Sequence, residues 1–178
     1  MRTFNRLTSF SIFMLLVAGC TSTGKPAKVS PYANLPLTEA VLLQPKWQAM
    51  QRTEPKYPIE DAKAGNNSGC ATVEYVITPD YQIKDLRLVT ATSRYFGKEA
   101  LSQVKRWDWQ QLPAGLLTAP VKTSTRFEYC MSTATLPATN CFETKMRENT
   151  RCSGEDVKTS IGFVIRRPGP AKHLNPPI

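Results

Sequence analysis

Gly69-Cys70-Ala71-Thr72-Val73-Glu74-Tyr75-Val76-Ile77 is the stretch that decides the fold. Ala71, Val73, Tyr75 and Ile77 alternate with Cys70, Thr72, Glu74 and Val76. Successive side chains of an extended chain point to opposite faces, so this period of two predicts a strand with one face on a core. Thr78-Pro79-Asp80-Tyr81 follows as a turn, with proline at the second position, where its fixed φ already fits. Ile83 to Thr90 is a second extended run with Leu86 and Leu88 on one face, and the tight turn makes it antiparallel to the first. Phe96, Ala100, Leu101, Val104 and Trp107 then recur at helical spacing opposite Lys98, Lys105 and Arg106, which predicts a helix from about Phe96 to Trp107. Leu112-Pro113-Ala114-Gly115 breaks the pattern. From Val121 to Cys130 the alternation returns, with Val121, Thr123, Thr125, Phe127 and Tyr129 on one face and Lys122, Ser124, Arg126, Glu128 and Cys130 on the other.

Strand, strand, helix, strand predicts an α+β fold. The helix carries the chain back so that the third strand runs parallel to the second. The simplest arrangement is a three-stranded antiparallel sheet with the first strand central and the helix over the odd-numbered faces.

Toward the N-terminus, Arg2 and Arg6 precede the apolar run Phe10 to Ala18, which ends in small residues at Cys20. A charged start, a short apolar core and a small-residue exit make an export signal over residues 1–19. A spanning helix needs about 20 apolar residues, more than this run supplies. Val17-Ala18-Gly19-Cys20 resembles the lipobox of bacterial lipoproteins, in which the last thiol carries a diacylglycerol and becomes the new N-terminus. Thr21 in the next position implies, by analogy, sorting to the outer membrane. Removing residues 1–19 lowers the formal charge from +9 to +7 by taking away Arg2 and Arg6. That basic balance suits anionic headgroups, the cell wall or an acidic partner. Export argues against nucleic acid. Residues 20–53 read as a lipidated tether, with Pro26, Pro31 and Pro36 among small polar residues. Thr38 is placed to cap a short helix over Glu39–Gln44, limited by Pro45. Trp47 to Tyr57 has no clear period.

Besides Cys20 there are four cysteines, Cys70, Cys130, Cys141 and Cys152, an even set that suggests two disulfides in an exported chain. In the expected sheet, Cys70 and Cys130 lie at one end on the face away from the helix. That favours Cys70–Cys130 and leaves Cys141–Cys152. The chain contains no CxxC pair, and its one histidine, His173, lies in a Pro-rich tail, so neither a metal nor a cofactor is expected. Nucleophile–base sets and glycine-rich phosphate loops are also lacking, which argues against an enzyme. The extension 132–178 reads as a cysteine-closed loop over 141–152, with a helical turn around Glu143–Glu148, and a further strand at Ile161-Gly162-Phe163-Val164-Ile165 ended by Pro168. That strand either pairs with the third strand or packs elsewhere.

Residues 54–131 resemble the C-terminal domain of TonB-type energy transducers. Pro55-Lys56-Tyr57-Pro58 is similar to the family's P-x-Y-P lead-in, and Gly69 to Tyr75 to its G-x-V-x-V-x-F strand. Thr78-Pro79-Asp80 resembles its hairpin turn, and Tyr95-Phe96 through Trp107-Asp108-Trp109 its helix ending in W-R-[YF]. The resemblance implies a domain that captures an extended segment of an outer-membrane receptor as a strand added beside the third strand. Carried over by position, the contact residues are Glu54, Pro55, Tyr57 and Pro58 together with the edge from Ser124 through Arg126 to Glu128. Departures are Glu54 for the usual Gln, Tyr81 for the usual turn Gly, and the absence of a spanning helix and a long spacer. The resulting expectation is a lipid-anchored periplasmic protein-binding module. The alternatives are a TonB-type transducer and a structural envelope lipoprotein.

Overall fold

The computed structural model describes residues 29–133, 141 and 151–163. Cys20, the export signal, the turn expected around Glu143–Glu148 and the Pro-rich tail lie outside the described residues.

The described chain forms one sheet and two helices: α1 (Ile59–Lys63), β1 (Ser68–Ile77), β2 (Ile83–Ala91), α2 (Arg94–Arg106), β3 (Val121–Ser132) and β4 (Val157–Phe163). The sheet order is β2-β1-β3-β4. β1 is antiparallel to β2 and to β3, as expected, and the odd-numbered faces lie on α2. The expected three-stranded sheet is corrected to four strands, because β4 pairs parallel to β3 from Arg126↔Val157 to Ser132↔Phe163. The further strand was expected at 161–165; it begins four residues earlier, and 164–165 lie outside the described residues.

The hairpin turn closes with Tyr81 N–H donating to Thr78 C=O at 2.8 Å. Tyr81 has φ +59°, a left-handed conformation that disfavours a side chain with a Cβ. Burial of its ring and a hydrogen bond from its hydroxyl to Pro113 C=O oppose that strain. Ser93 caps α2, its Oγ accepting from Tyr95 N–H at 3.0 Å, so the helix starts two residues before its apolar stripe. Phe96, Ala100 and Val104 face the sheet and pack with Val73, Tyr75, Phe127, Tyr129, Trp107 and Trp109.

Two features of the sequence fold differently from expectation. The stretch expected as a tether over 20–53 is already part of the domain from residue 30. Ser30 Oγ bonds the Asp85 carboxylate, Thr38 N–H donates to Lys122 C=O at 2.8 Å, and Val41, Leu42, Trp47 and Met50 are core. A short 3-10 turn at Val41–Leu43 stands where a capped helix over Glu39–Gln44 is expected, and a second follows at Pro45–Trp47. The disulfides are Cys70–Cys152 and Cys130–Cys141, with Cα separations of 6.1 and 5.8 Å, which corrects the expected Cys70–Cys130 and Cys141–Cys152. Cys70 and Cys130 do share a face and an end. However, Cys70 stands opposite Glu128 and Cys130 opposite Ser68, and each thiol is met instead by a cysteine of the extension crossing that face. The second face is therefore also covered, with Cys70, Val76, Ser124, Glu128 and Cys130 all buried.

Candidate functional site

The residues singled out by sequence fall into two groups. The lead-in group lies along α2. Thr53 C=O accepts from Gln103 Nε2 at 2.6 Å and from Trp107 Nε1 at 3.2 Å, and Lys56 N–H donates to Glu99 Oε1 at 3.0 Å. Tyr57 sets its ring edge-on to Phe96 and Tyr129, at 5.5 and 6.3 Å between centroids, and its hydroxyl bonds Asn66 C=O. Burial, then the charge of Asp61, pushes the Tyr57 hydroxyl pKa above its ordinary range. Pro58 caps α1 and accepts from Ala62 N–H at 3.1 Å. Pro55 is buried and Glu54 is exposed. Most of this group therefore fastens the chain to the helix, and Glu54 lies exposed at the rim.

The second group lies on β3. Arg126 N–H donates to Asp156 C=O at 2.8 Å. Backbone groups alternate along a strand, so the even-numbered residues of β3 and β4 face each other. β4 thus occupies the β3 edge from Arg126 to Ser132, and the Thr38 bond occupies it at Lys122. Ser124, between them, is buried and donates its hydroxyl to Glu39 Oε2 at 2.9 Å. Arg126 is half-buried and pairs with Glu128. Burial raises the Glu128 pKa above the ordinary carboxylate range, with Arg126 opposing.

The start of β4 is held by a group that sequence reasoning missed. Asp156, fully buried, accepts from Arg52 Nη1 at 2.6 Å and from Thr125 Oγ1 at 2.7 Å, and Thr125 Oγ1 is 2.9 Å from the Tyr75 hydroxyl. Arg52 also stacks over Trp107 at 5.4 Å. On the opposite face Thr72 Oγ1 donates to Ser153 C=O at 2.7 Å, beside the Cys70–Cys152 bridge. Arg52 and Asp156 are 104 residues apart, and neither sits in a local pattern that announces the pair.

Among the described residues two sheet edges remain. β2 is irregular: its register with β1 shifts twice and Asp85 has φ +47°. Bulges of this kind bend an edge away from further pairing. β4 is regular. Val157, Thr159, Ile161 and Phe163 turn their N–H and C=O groups outward, and no described strand pairs with them. Beside that edge, on the helix side, lies a groove of about 390 Å³ between Leu42, Leu43, Trp47, Met50, Arg52 and Lys158.

Residues 53–131 match the family model of the Gram-negative bacterial TonB protein C-terminal. This segment belongs to that family. The TonB C-terminal domain is a non-enzymatic protein-interaction domain of the bacterial envelope, with partners such as receptors. No curated protein matches the chain in sequence. The matched segment ends at Met131, so β4 and its disulfides lie outside it. Among the described residues no group of His, Cys, Asp and Glu is arranged to hold a metal ion. No described helix is long and apolar enough to cross a membrane.

Proposed function

We propose that the protein is a lipid-anchored, periplasm-facing protein-binding module of the outer membrane that acts without catalysis. The observation that carries this reading is the closed β3 edge of a TonB C-terminal domain. A strand of the same chain stands beside β3, where the resemblance puts a partner's peptide, and a disulfide and the buried Arg52–Asp156 pair hold it there. Transient capture on β3 requires that strand to leave. The module instead holds its partner on the remaining surface, with Glu54 at the rim and Pro55, Tyr57 and Pro58 fixing the chain beside it.

The anchor sets the range. Cys20 carries the lipid, and the chain is fastened to the sheet from Ser30. Ten residue steps from Cys20 to Ser30 span at most about 36 Å fully extended. The partner therefore lies at or near the same membrane.

Two measurements test this reading. Metabolic labelling with a palmitate analogue labels the wild type and not Cys20→Ala, and the label follows the outer-membrane fraction. Affinity capture of the full chain from cross-linked intact envelopes recovers an envelope protein, and recovery falls with Cys20→Ala. Unlabelled wild type overturns the anchor, and capture that recovers no envelope protein overturns the binding role. A purely structural lipoprotein is the second reading, favoured by the two disulfides that staple the extension to the sheet. It predicts an envelope integrity defect on deletion and no captured partner.

A further inference from the structure

The two sheet edges differ in a way that selects between them. β2 carries two register shifts and a left-handed Asp85, whereas β4 runs in unbroken register with β3 from Val157 to Phe163. Its outward backbone positions are Val157, Thr159, Ile161 and Phe163, three of them β-branched, a composition that favours extended backbone. Four outward N–H and C=O pairs on a regular strand form a template for one more strand.

The groove beside the edge selects the occupant. Lys158 shares the helix-side face of β4 with the groove, because it stands opposite Phe127 in the parallel register. Around its ammonium are Arg52, Glu54 and Asp156. The Asp156 carboxylate is bound to Arg52 and Thr125, and Glu54 is exposed. Lys158 makes no ion pair among the described residues. Burial, then Arg52, lowers its pKa, with Glu54 and Asp156 opposing. Leu42, Leu43, Trp47 and Met50 and the polar Gln48 form the rest of the wall. A second copy paired through β4 would bring a second Lys158 and Arg52 to this edge, and like charges across a strand pair are destabilising.

We propose that the outer edge of β4 binds an extended acidic segment of a partner protein as a fifth strand, with a carboxylate side chain opposite Lys158 entering the groove. This rests on the reading of the protein as a binding module and names the surface and partner chemistry it uses. Backbone bonds to Val157, Thr159 and Ile161 supply affinity, and the carboxylate at Lys158 supplies selection. The partner avoids β3 altogether, so the disulfide-held extension is part of the binding surface and not a plug over it.

The test uses the full chain purified in detergent and two fluorescein-labelled synthetic peptides, one alternating valine with glutamate and the other valine with lysine. Fluorescence anisotropy should give the glutamate peptide at least about fivefold tighter binding, the scale of one exposed ion pair. Lys158→Glu should reverse that order. Thr159→Pro removes one outward N–H while leaving the N–H groups of Lys158 and Ser160 on β3, so affinity should fall about tenfold with β3–β4 amide protection unchanged. Should Thr159→Pro disturb β4, the same glutamate peptide N-methylated at alternate amides gives an equivalent loss on the unaltered protein. Equal affinity for the two peptides overturns the proposal. So does binding indifferent to N-methylation, or a dimer that Thr159→Pro abolishes and that excludes the peptide. Capture of an envelope partner without peptide preference would retain the binding module and discard this edge.

Discussion

Removing the two disulfides separately should have unequal effects, and the structure gives the ratio. Cys70 and Cys152 are 82 residues apart, and Cys130 and Cys141 are 11 apart. A cross-link removes conformational entropy from the unfolded chain by an amount that grows with the logarithm of the loop. For loops of these lengths the stabilisation is about 4.5 and about 2.8 kcal/mol at room temperature. Replacing both members of a bridge by alanine avoids leaving a free thiol, and all four sites are buried, so the two double variants lose similar packing. Urea unfolding of the full chain, followed by tryptophan fluorescence, reads both losses, since Trp47, Trp107 and Trp109 are all in the core. Cys70→Ala with Cys152→Ala should lower the unfolding free energy more than Cys130→Ala with Cys141→Ala, by about 1.7 kcal/mol. Equal losses, or a larger loss for the 130–141 pair, would refute the reasoning that the long loop organises the extension.

The remaining predictions concern the buried charges. Asp156→Ala leaves the Arg52 guanidinium without its partner in a nearly dry site and should cost about 3 kcal/mol. Hydrogen exchange should place that loss first in the amides of Lys158 and Ser160 and only later in β1. Uniform exchange would contradict the role given to Asp156 in seating β4. Glu128 has a folded pKa raised by burial, so the unfolded chain ionises at lower pH than the folded one, and stability falls as pH climbs from the ordinary carboxylate range through the folded pKa. Glu128→Gln lacks that loss. Its melting temperature should match wild type at acid pH and gain on it over that interval, and a parallel pair of Tm–pH curves would count against the assignment.

Much of the domain could be read because its signals are local. β1 announces itself through Ala71, Val73, Tyr75 and Ile77, all fully buried on the helix side. α2 is marked by an apolar stripe, and it starts ahead of that stripe because the Ser93 cap precedes it. Residues 41–50 could not be read in this way. They enter the core through two 3-10 turns, and three-residue turns leave neither a 3.6 nor a 2.0 period. The disulfide pairing failed for a different reason. Face and end agree for Cys70 and Cys130, yet both faces of the sheet are covered, and the route of the extension depends on a Thr72–Ser153 contact on the second face and an Arg52–Asp156 contact on the helix side, 81 and 104 residues apart. The same long-range contacts move the candidate site. Ser124, Arg126 and Glu128 lie on the strand that sequence points to, while the edge left unpaired among the described residues belongs to β4, a strand whose partner no local pattern names.

The most direct test of the account is site-specific photo-crosslinking in intact envelopes, with a photoreactive residue replacing Thr159 on the outer edge of β4 and, separately, Val89 on β2. The account predicts an adduct from position 159 that maps by mass spectrometry to an extended acidic segment of another envelope protein, and none from position 89. No adduct from position 159, or one confined to position 89, would contradict it.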